Sequence, residues 1–237
     1  MKRITTGIPR LDKLVEGGYP EGAVVLVSGS PGAGKTIYAM QFLIDGARKG
    51  DKGLYISFEE SVKNVKMQAD EFGWNLDALE RKNQLRVVSL MVAHSNITKV
   101  LDEIESLVRK FMPKRLVLDS LSTLGVFTEI ETQVDHGKEL LSNVFGEAII
   151  RKAIITLVER LRAFDTITTI VTSELQEGSP WYSRDTVSEF ACDGVVKLSK
   201  IDAAGKRLLT VVKMRATKHQ FLPKTIEIGD KGIVILE

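Results

Sequence analysis

The chain has 237 residues, of which 43% are hydrophobic and 27% charged, and its 33 basic and 31 acidic side chains leave a net charge of only +2. That length fits one domain, residues 1–237, with an ordinary buried core, and the charge balance neither demands nor excludes a nucleic-acid partner, since a local patch would decide it. A lone cysteine, Cys192, an opening MKRITTGIPR without an apolar leader core, and the lack of any apolar run near ~18 residues exclude disulfide-stapled, secreted and membrane-spanning classes, so a soluble cytoplasmic protein is expected.

Residues 11–15 read as a short helical segment ended by Gly17, Gly18 and Pro20. AVVLVSG (23–29) is a continuous apolar run of strand length, suited to a sheet buried on both faces. KTIYAMQFLIDGARKG (35–50) then has apolar residues at helical spacing, with Gly50 as its stop. The alternation repeats: GLYISFEE (53–60) is a strand, and SVKNVKMQADEFG (61–73) a helix with Ser61 as N-cap. QLRVVSL (84–90) is a strand and NITKVLDEIESLVRKF (96–111) a helix. RLVLDS (115–120) is a strand beyond Pro113. A long amphipathic helix over 147–163 leads to the strand TITTIVTSE (166–174). The last third changes character. GVVKLSKID (194–202), AGKRLLTVVKMRA (204–216) and TIEIGDKGIVIL (225–236) are strands joined by short Gly or Asp turns. Strands alternating with helices imply an α/β fold, a mostly parallel sheet flanked by helices, to which the tail adds antiparallel strands.

GSPGAGKT (29–36) matches G-x-x-x-x-G-K-[ST] in full, between a buried strand and an apolar-periodic helix. Gly29, Ser30, Pro31, Gly32, Ala33 and Gly34 would turn backbone N–H groups toward phosphates, and the helix start at Lys35, Thr36 and Ile37 would add its dipole. Lys35 would bond phosphate oxygens and Thr36 would ligate Mg²⁺. Asp119, closing an apolar strand, suits the Mg²⁺ shell. Glu59 and Glu60 end another strand; Glu59 would polarise the attacking water and Glu60 assist, although two acids there also favour the next helix through its dipole. Thr172, Ser173 and Glu174 at a third strand end suit a sensor of nucleotide state, or ordinary strand-end polarity. The histidines (94, 136, 219) show no metal-ligand spacing, and no Ser-His-Asp or Cys-His set stands out.

In joint order, TGIPRLDKLVEGGYPEG, GSPGAGKT, SFEES, LVLDS and KMRATKH make the chain resemble the RecA superfamily, and within it KaiC-type ATPases. The resemblance spans nearly the whole sequence and implies ATP and Mg²⁺ as ligands, a RecA-like core and a homo-oligomeric, hexameric ring. It further implies that Lys213 and Arg215 reach the γ-phosphate of a neighbouring subunit, with Thr217 and His219 near its sugar or phosphates. The bland alternative is that Lys213 and Arg215 blunt an exposed sheet edge. One core is present where the clock proteins carry two, so timing and autophosphorylation are not expected, nor is full strand exchange.

The favoured function is a regulatory ATPase switch acting on an unknown protein partner. A recombinase paralog binding single-stranded DNA is the second reading, carried by Trp181, Tyr182 and Arg184 in 176–190. Against it stand Glu129, Glu131, Asp135 and Glu139, which outweigh His136 and Lys138 in 125–146. A nucleotide-stabilised scaffold without turnover is the third.

Overall fold

The computed structural model describes residues 1–90, 97–123, 139–201 and 205–236, apart from the side chains of 139–147. Its centre is a nine-stranded sheet. In chain order the strands are β3 (Val24–Gly29), β4 (Gly53–Ser57), β5 (Leu85–Ser89), β6 (Arg115–Asp119), β7 (Thr168–Glu174), β8 (Gly194–Ile201), β9 (Lys206–Met214), β10 (Lys224–Gly229) and β11 (Gly232–Ile235). A two-stranded ribbon, β1 (Arg3–Ile4) with β2 (Tyr19–Pro20), precedes them and flanks the helix α1 (Leu11–Leu14). The other helices are α2 (Lys35–Arg48), α3 (Val62–Asp70), α4 (Leu76–Arg81), α5 (Ile97–Phe111), α6 (Glu139–Arg162) and α7 (Ser188–Ala191), with a 3-10 turn at Leu121–Thr123.

Across the sheet the order is β11-β10-β9-β8-β3-β7-β6-β4-β5. The strands from β8 to β5 run parallel, and β9, β10 and β11 alternate as hairpins. The expected antiparallel tail therefore begins at β9, because β8 pairs parallel to β3. Every residue of β3 is buried, as an unbroken apolar run at a sheet centre requires. Its side chains alternate: Val25 and Val27 face the core under α2, whereas Val24 and Leu26 face the core under α5 and α6. Cys192 lies buried in the second core.

Ser61 caps α3 as expected, its hydroxyl accepting from the Asn64 N–H at 3.2 Å. Three features differ from the sequence reading. The strand expected to reach residue 60 stops at Ser57, freeing Phe58 to Glu60 to turn. Helix α6 starts at Glu139 rather than 147, carrying Gly146 in its interior. Helix α4 was not anticipated; it is short, and Asn75 caps it by accepting from the Ala78 N–H at 2.8 Å. Among the described residues no helix is long and apolar enough to cross a membrane.

The ends of the strands decide what can meet. Gly29 pairs with Leu198, and Leu198 with Leu209; at the other edge Val25 pairs with Gly194, and Gly194 with Met214. The carboxyl end of β9 is thus separated from the carboxyl end of β3 by roughly 13 Å of strand, at ~3.3 Å per residue.

Candidate functional site

The turn from β3 into α2 is built around glycines that the backbone approach at Gly29 and the positive φ at Gly34 favour. A Cβ on Gly29 would stand 2.4 Å from the Leu198 carbonyl oxygen, and Gly34 has φ +103 with the Ile228 side chain pressed against it. The resulting loop projects the Lys35 ammonium back over itself, where it donates to the carbonyls of Gly29 at 3.0 Å and Ser30 at 3.3 Å. Burial pulls the Lys35 pKa below its usual value, while the carboxylates of Glu174, Asp119 and Glu59 oppose the shift. That environment is poised for anionic oxygens, which would keep the ammonium charged.

Asp119, at the end of β6, collects three hydroxyl donors. Thr36 Oγ1 donates to Asp119 Oδ2 at 2.9 Å, Tyr55 donates to the same oxygen, and Thr172 donates to Oδ1. Burial, reinforced by the Asp119 charge, pushes the Tyr55 phenol well above its ordinary pKa, so it stays a donor. The paired oxygens of Thr36 and Asp119 are hard donors of the kind Mg²⁺ takes, and their separation fits a shared ion.

The two glutamates part company. Glu59 Oε1 accepts from the hydroxyls of Ser120 and Thr123, the latter at 2.8 Å, which ties this carboxylate to the segment that follows Asp119. Glu60 instead accepts from the Gln68 amide of α3 at 2.6 Å. The Ser57 hydroxyl fixes the turn by accepting the N–H groups of both, at 3.4 and 2.8 Å. At the end of β7 the Glu174 N–H donates to Ser122 Oγ at 2.8 Å, and its carboxylate lies 3.8 Å from Arg184.

Two clefts flank the loop. One, of about 400 Å³, is bounded by Gly34, Lys35, Thr36, Ile37, Arg207 and Ile228. The other, of about 350 Å³, is bounded by Ser30, Pro31, Glu174, Glu177, Arg184 and Lys200. The structure thus gathers residues 29–37, Asp119, Glu59 and Glu174 around one place.

It does not bring KMRATKH there. Lys213 caps the end of α7, donating to the carbonyls of Glu189 at 2.9 Å, Phe190 at 3.3 Å and Cys192 at 2.7 Å. Burial lowers its pKa, and the neighbouring Arg215 charge adds to that. Arg215 bonds Asp193 at 3.0 Å and the Phe190 carbonyl at 3.1 Å while half its side chain stays exposed. Thr217 accepts from Arg3 at 2.6 Å, and His219 Nδ1 lies 3.3 Å from the Thr217 carbonyl. All four sit at the sheet edge opposite the loop.

In the 176–190 stretch Trp181 and Arg184 are exposed, but Tyr182 packs on the second core beneath Lys197, so the three do not form one stacking set. Residues 129, 131, 135, 136 and 138, on which the acidic-loop argument rests, lie outside the described residues, as does His94. Sequence reasoning missed Tyr55, Gln68, Ser120 and Thr123. The hydroxyls of Ser120 and Thr123 follow Asp119 directly and were open to notice. Tyr55 gave no local signal, because its role depends on the register that sets Ser57 opposite Asp119.

A family model described as ATPase: KaiC matches residues 4–237. The chain is 31% identical to a UPF0273 protein of Thermotoga maritima, over 99% of this chain and 96% of that one. It is 30% identical to a UPF0273 protein of Pyrococcus horikoshii, over 99% and 94%. It also aligns along its whole length, at 31% identity, with 46% of the circadian clock protein KaiC3 of Synechocystis. Among solved structures, a KaiC-like protein of Pyrococcus horikoshii superposes with a TM-score of 0.83 at 31% identity, over 100% of this chain and 99% of that one.

Proposed function

The chain belongs to the KaiC family of ATPases, and from that premise we propose that it hydrolyses ATP with Mg²⁺ at sites shared between the subunits of a hexameric ring, serving as a switch for a protein partner. Residues 29–37 take the phosphates, with Lys35 on their oxygens. Thr36 and Asp119 hold the Mg²⁺ ion, which when bound neutralises charge on the phosphates. Glu59, aimed by Ser120 and Thr123, orients the attacking water and receives its proton. Glu60 supports it indirectly by tying the turn to Gln68 of α3.

The observation that carries the shared site is the position of KMRATKH. Lys213 and Arg215 are at the far edge of the sheet from their own loop, so any γ-phosphate they reach is held by another copy, and Lys213 would release the carbonyls at the end of α7 to reach it. An arginine so delivered contributes ~10³ to 10⁵ in rate in phosphoryl transfer. Hydrolysis then depends on assembly. The test is ATP turnover per chain measured across a dilution series, with the size of the particle followed by light scattering. Turnover per chain should fall as the ring dissociates; the same turnover in rings and monomers would contradict the shared site.

Binding of single-stranded DNA remains the second reading because Trp181 and Arg184 are exposed together on 176–190. Fluorescence anisotropy of a labelled oligonucleotide, with Mg-ATP at low and moderate salt, decides it: steeply salt-dependent binding supports it and a flat titration eliminates it.

A further inference from the structure

We propose that Lys200 and Arg207 form a cation pair that grips, within one chain, the phosphate end of the nucleotide held on residues 29–37. The inference rests on the nucleotide-binding reading above, and it concerns cations other than Lys213 and Arg215, which lie at the opposite sheet edge.

Lys200 stands directly opposite Arg207 across β8 and β9. Residues so opposed share a face of the sheet. Two residues further in, Leu198 opposes Leu209, and both are buried in the core under α2. The two cations therefore continue the α2 face and emerge where β3 delivers the phosphate loop. Like charges directly opposite on paired strands repel and weaken the pairing, so this placement costs stability unless an anion sits between them.

No anion among the described residues does so. Among the described residues neither Lys200 nor Arg207 has an ion pair or a hydrogen-bonded side-chain partner, and the Arg207 Nε is buried with its donor unused. On the Lys200 side the cleft wall carries Glu174, which lies 3.8 Å from Arg184, and Glu177, and neither forms an ion pair with Lys200. The cleft on the Arg207 side has no carboxylate in its wall.

Both side chains border the loop, one on each flank. The Lys200 ammonium is 3.8 Å from the point where a Cβ on Gly32 would lie, and it walls the cleft beside Ser30 and Pro31. Arg207 walls the other cleft beside Gly34, Lys35, Thr36 and Ile37. A polyphosphate offers several charged oxygens to both at once, ending the repulsion and satisfying the idle donor. The chain would thus bind nucleotide firmly through its own cations before a neighbour contributes any.

The test is calorimetric titration of Mg-ATP, and separately of inorganic tripolyphosphate, into the full chain as wild type, Lys200→Gln, Arg207→Gln, Arg207→Lys and, as control, Lys206→Gln. Lys206 opposes Ile201 one position along the same hairpin, so its side chain takes the other face. Each of the two Gln variants should bind both ligands about tenfold more weakly or worse, as expected for losing a charge-assisted hydrogen bond. Arg207→Lys should recover part of the loss, and Lys206→Gln should match wild type. Unliganded, the Lys200→Gln chain should melt no lower than wild type, because a repulsion has gone. Unchanged affinity in both Gln variants would overturn the pair while leaving nucleotide binding intact. Weaker ATP binding with unchanged tripolyphosphate binding would assign the cations to the nucleoside and overturn the phosphate assignment. Wild type binding neither ligand would overturn the nucleotide reading itself.

Discussion

Glu59 and Glu60 look equivalent in the sequence, but their hydrogen bonds divide them. Glu59 is held by Ser120 and Thr123 next to Asp119, whereas Glu60 is committed to Gln68. Glu59→Gln should lower kcat by about 10²-fold or more, as loss of a general base does, without weakening ATP binding. Glu60→Gln should cost far less. Equal losses in steady-state turnover would contradict the division. A second residue-scale prediction concerns acid stability. Arg115, almost wholly buried, is paired with Asp45 at 3.0 Å and Asp51 at 2.9 Å. Burial alone would raise the Asp45 pKa, but Lys49, Thr5 and Arg115 outweigh it and hold the carboxyl below its ordinary value. A folded-state pKa below the unfolded value of about 3.9 gives stability that is present above about pH 4 and lost as pH falls through the folded pKa. Asp45→Asn should therefore flatten the fall in urea midpoint between about pH 5 and pH 3; an unaltered acid limb would show that Asp45 does not carry it. At this scale the phosphate loop was legible because its glycines and lysine are contiguous. Tyr55, Lys200 and Arg207 were not, because their meaning arises only when strands distant in sequence come into register.

Elements were legible where a long period or a clear cap marked them. Helix α2 shows apolar spacing through its length and stops at Lys49, whose successor Gly50 has φ +85. The hairpin of β10 and β11 is announced by its Gly-Asp-Lys-Gly turn, where Gly232 adopts φ +105. Helix α4 was missed because six residues show less than two turns of periodicity, leaving Asn75 as the only sign. The sequence places the start of helix α6 too late because Gly146 reads as a breaker, at about 1 kcal/mol relative to Ala, whereas the helix runs through it from Glu139. The cap on α3 gives the element-scale prediction. Ser61→Ala removes the acceptor for the Asn64 N–H and should cost about 1 kcal/mol of unfolding free energy in urea. No change in midpoint would mean that water caps the helix as well as Ser61 does.

Across the whole molecule, strand order is what the sequence concealed and what the function turns on. A parallel sheet from β8 to β5 puts the ends of β3, β4, β6 and β7 along one edge, so residues 29–37, Glu59, Asp119 and Thr172 converge although they are scattered in the chain. The reversal at β9 sends KMRATKH to the other edge, and in doing so places Arg207 beside the loop. One antiparallel turn therefore separates Arg207, beside the loop, from Lys213 and Arg215, which meet the end of α7 and Asp193 at the far edge. The resemblance implies that Lys213 and Arg215 act on a neighbour's nucleotide, and the topology keeps them away from their own loop.

The most direct measurement of that central claim is ATP turnover in mixtures of a Lys35→Ala chain with an Arg215→Ala chain. Each alone should be nearly inactive. Mixed in equal amounts and allowed to exchange, they should recover about a quarter of the wild-type rate, the chance that an intact loop meets an intact Arg215 across a head-to-tail interface. Absence of recovery at every mixing ratio, with mixed rings demonstrably formed, would contradict the shared site.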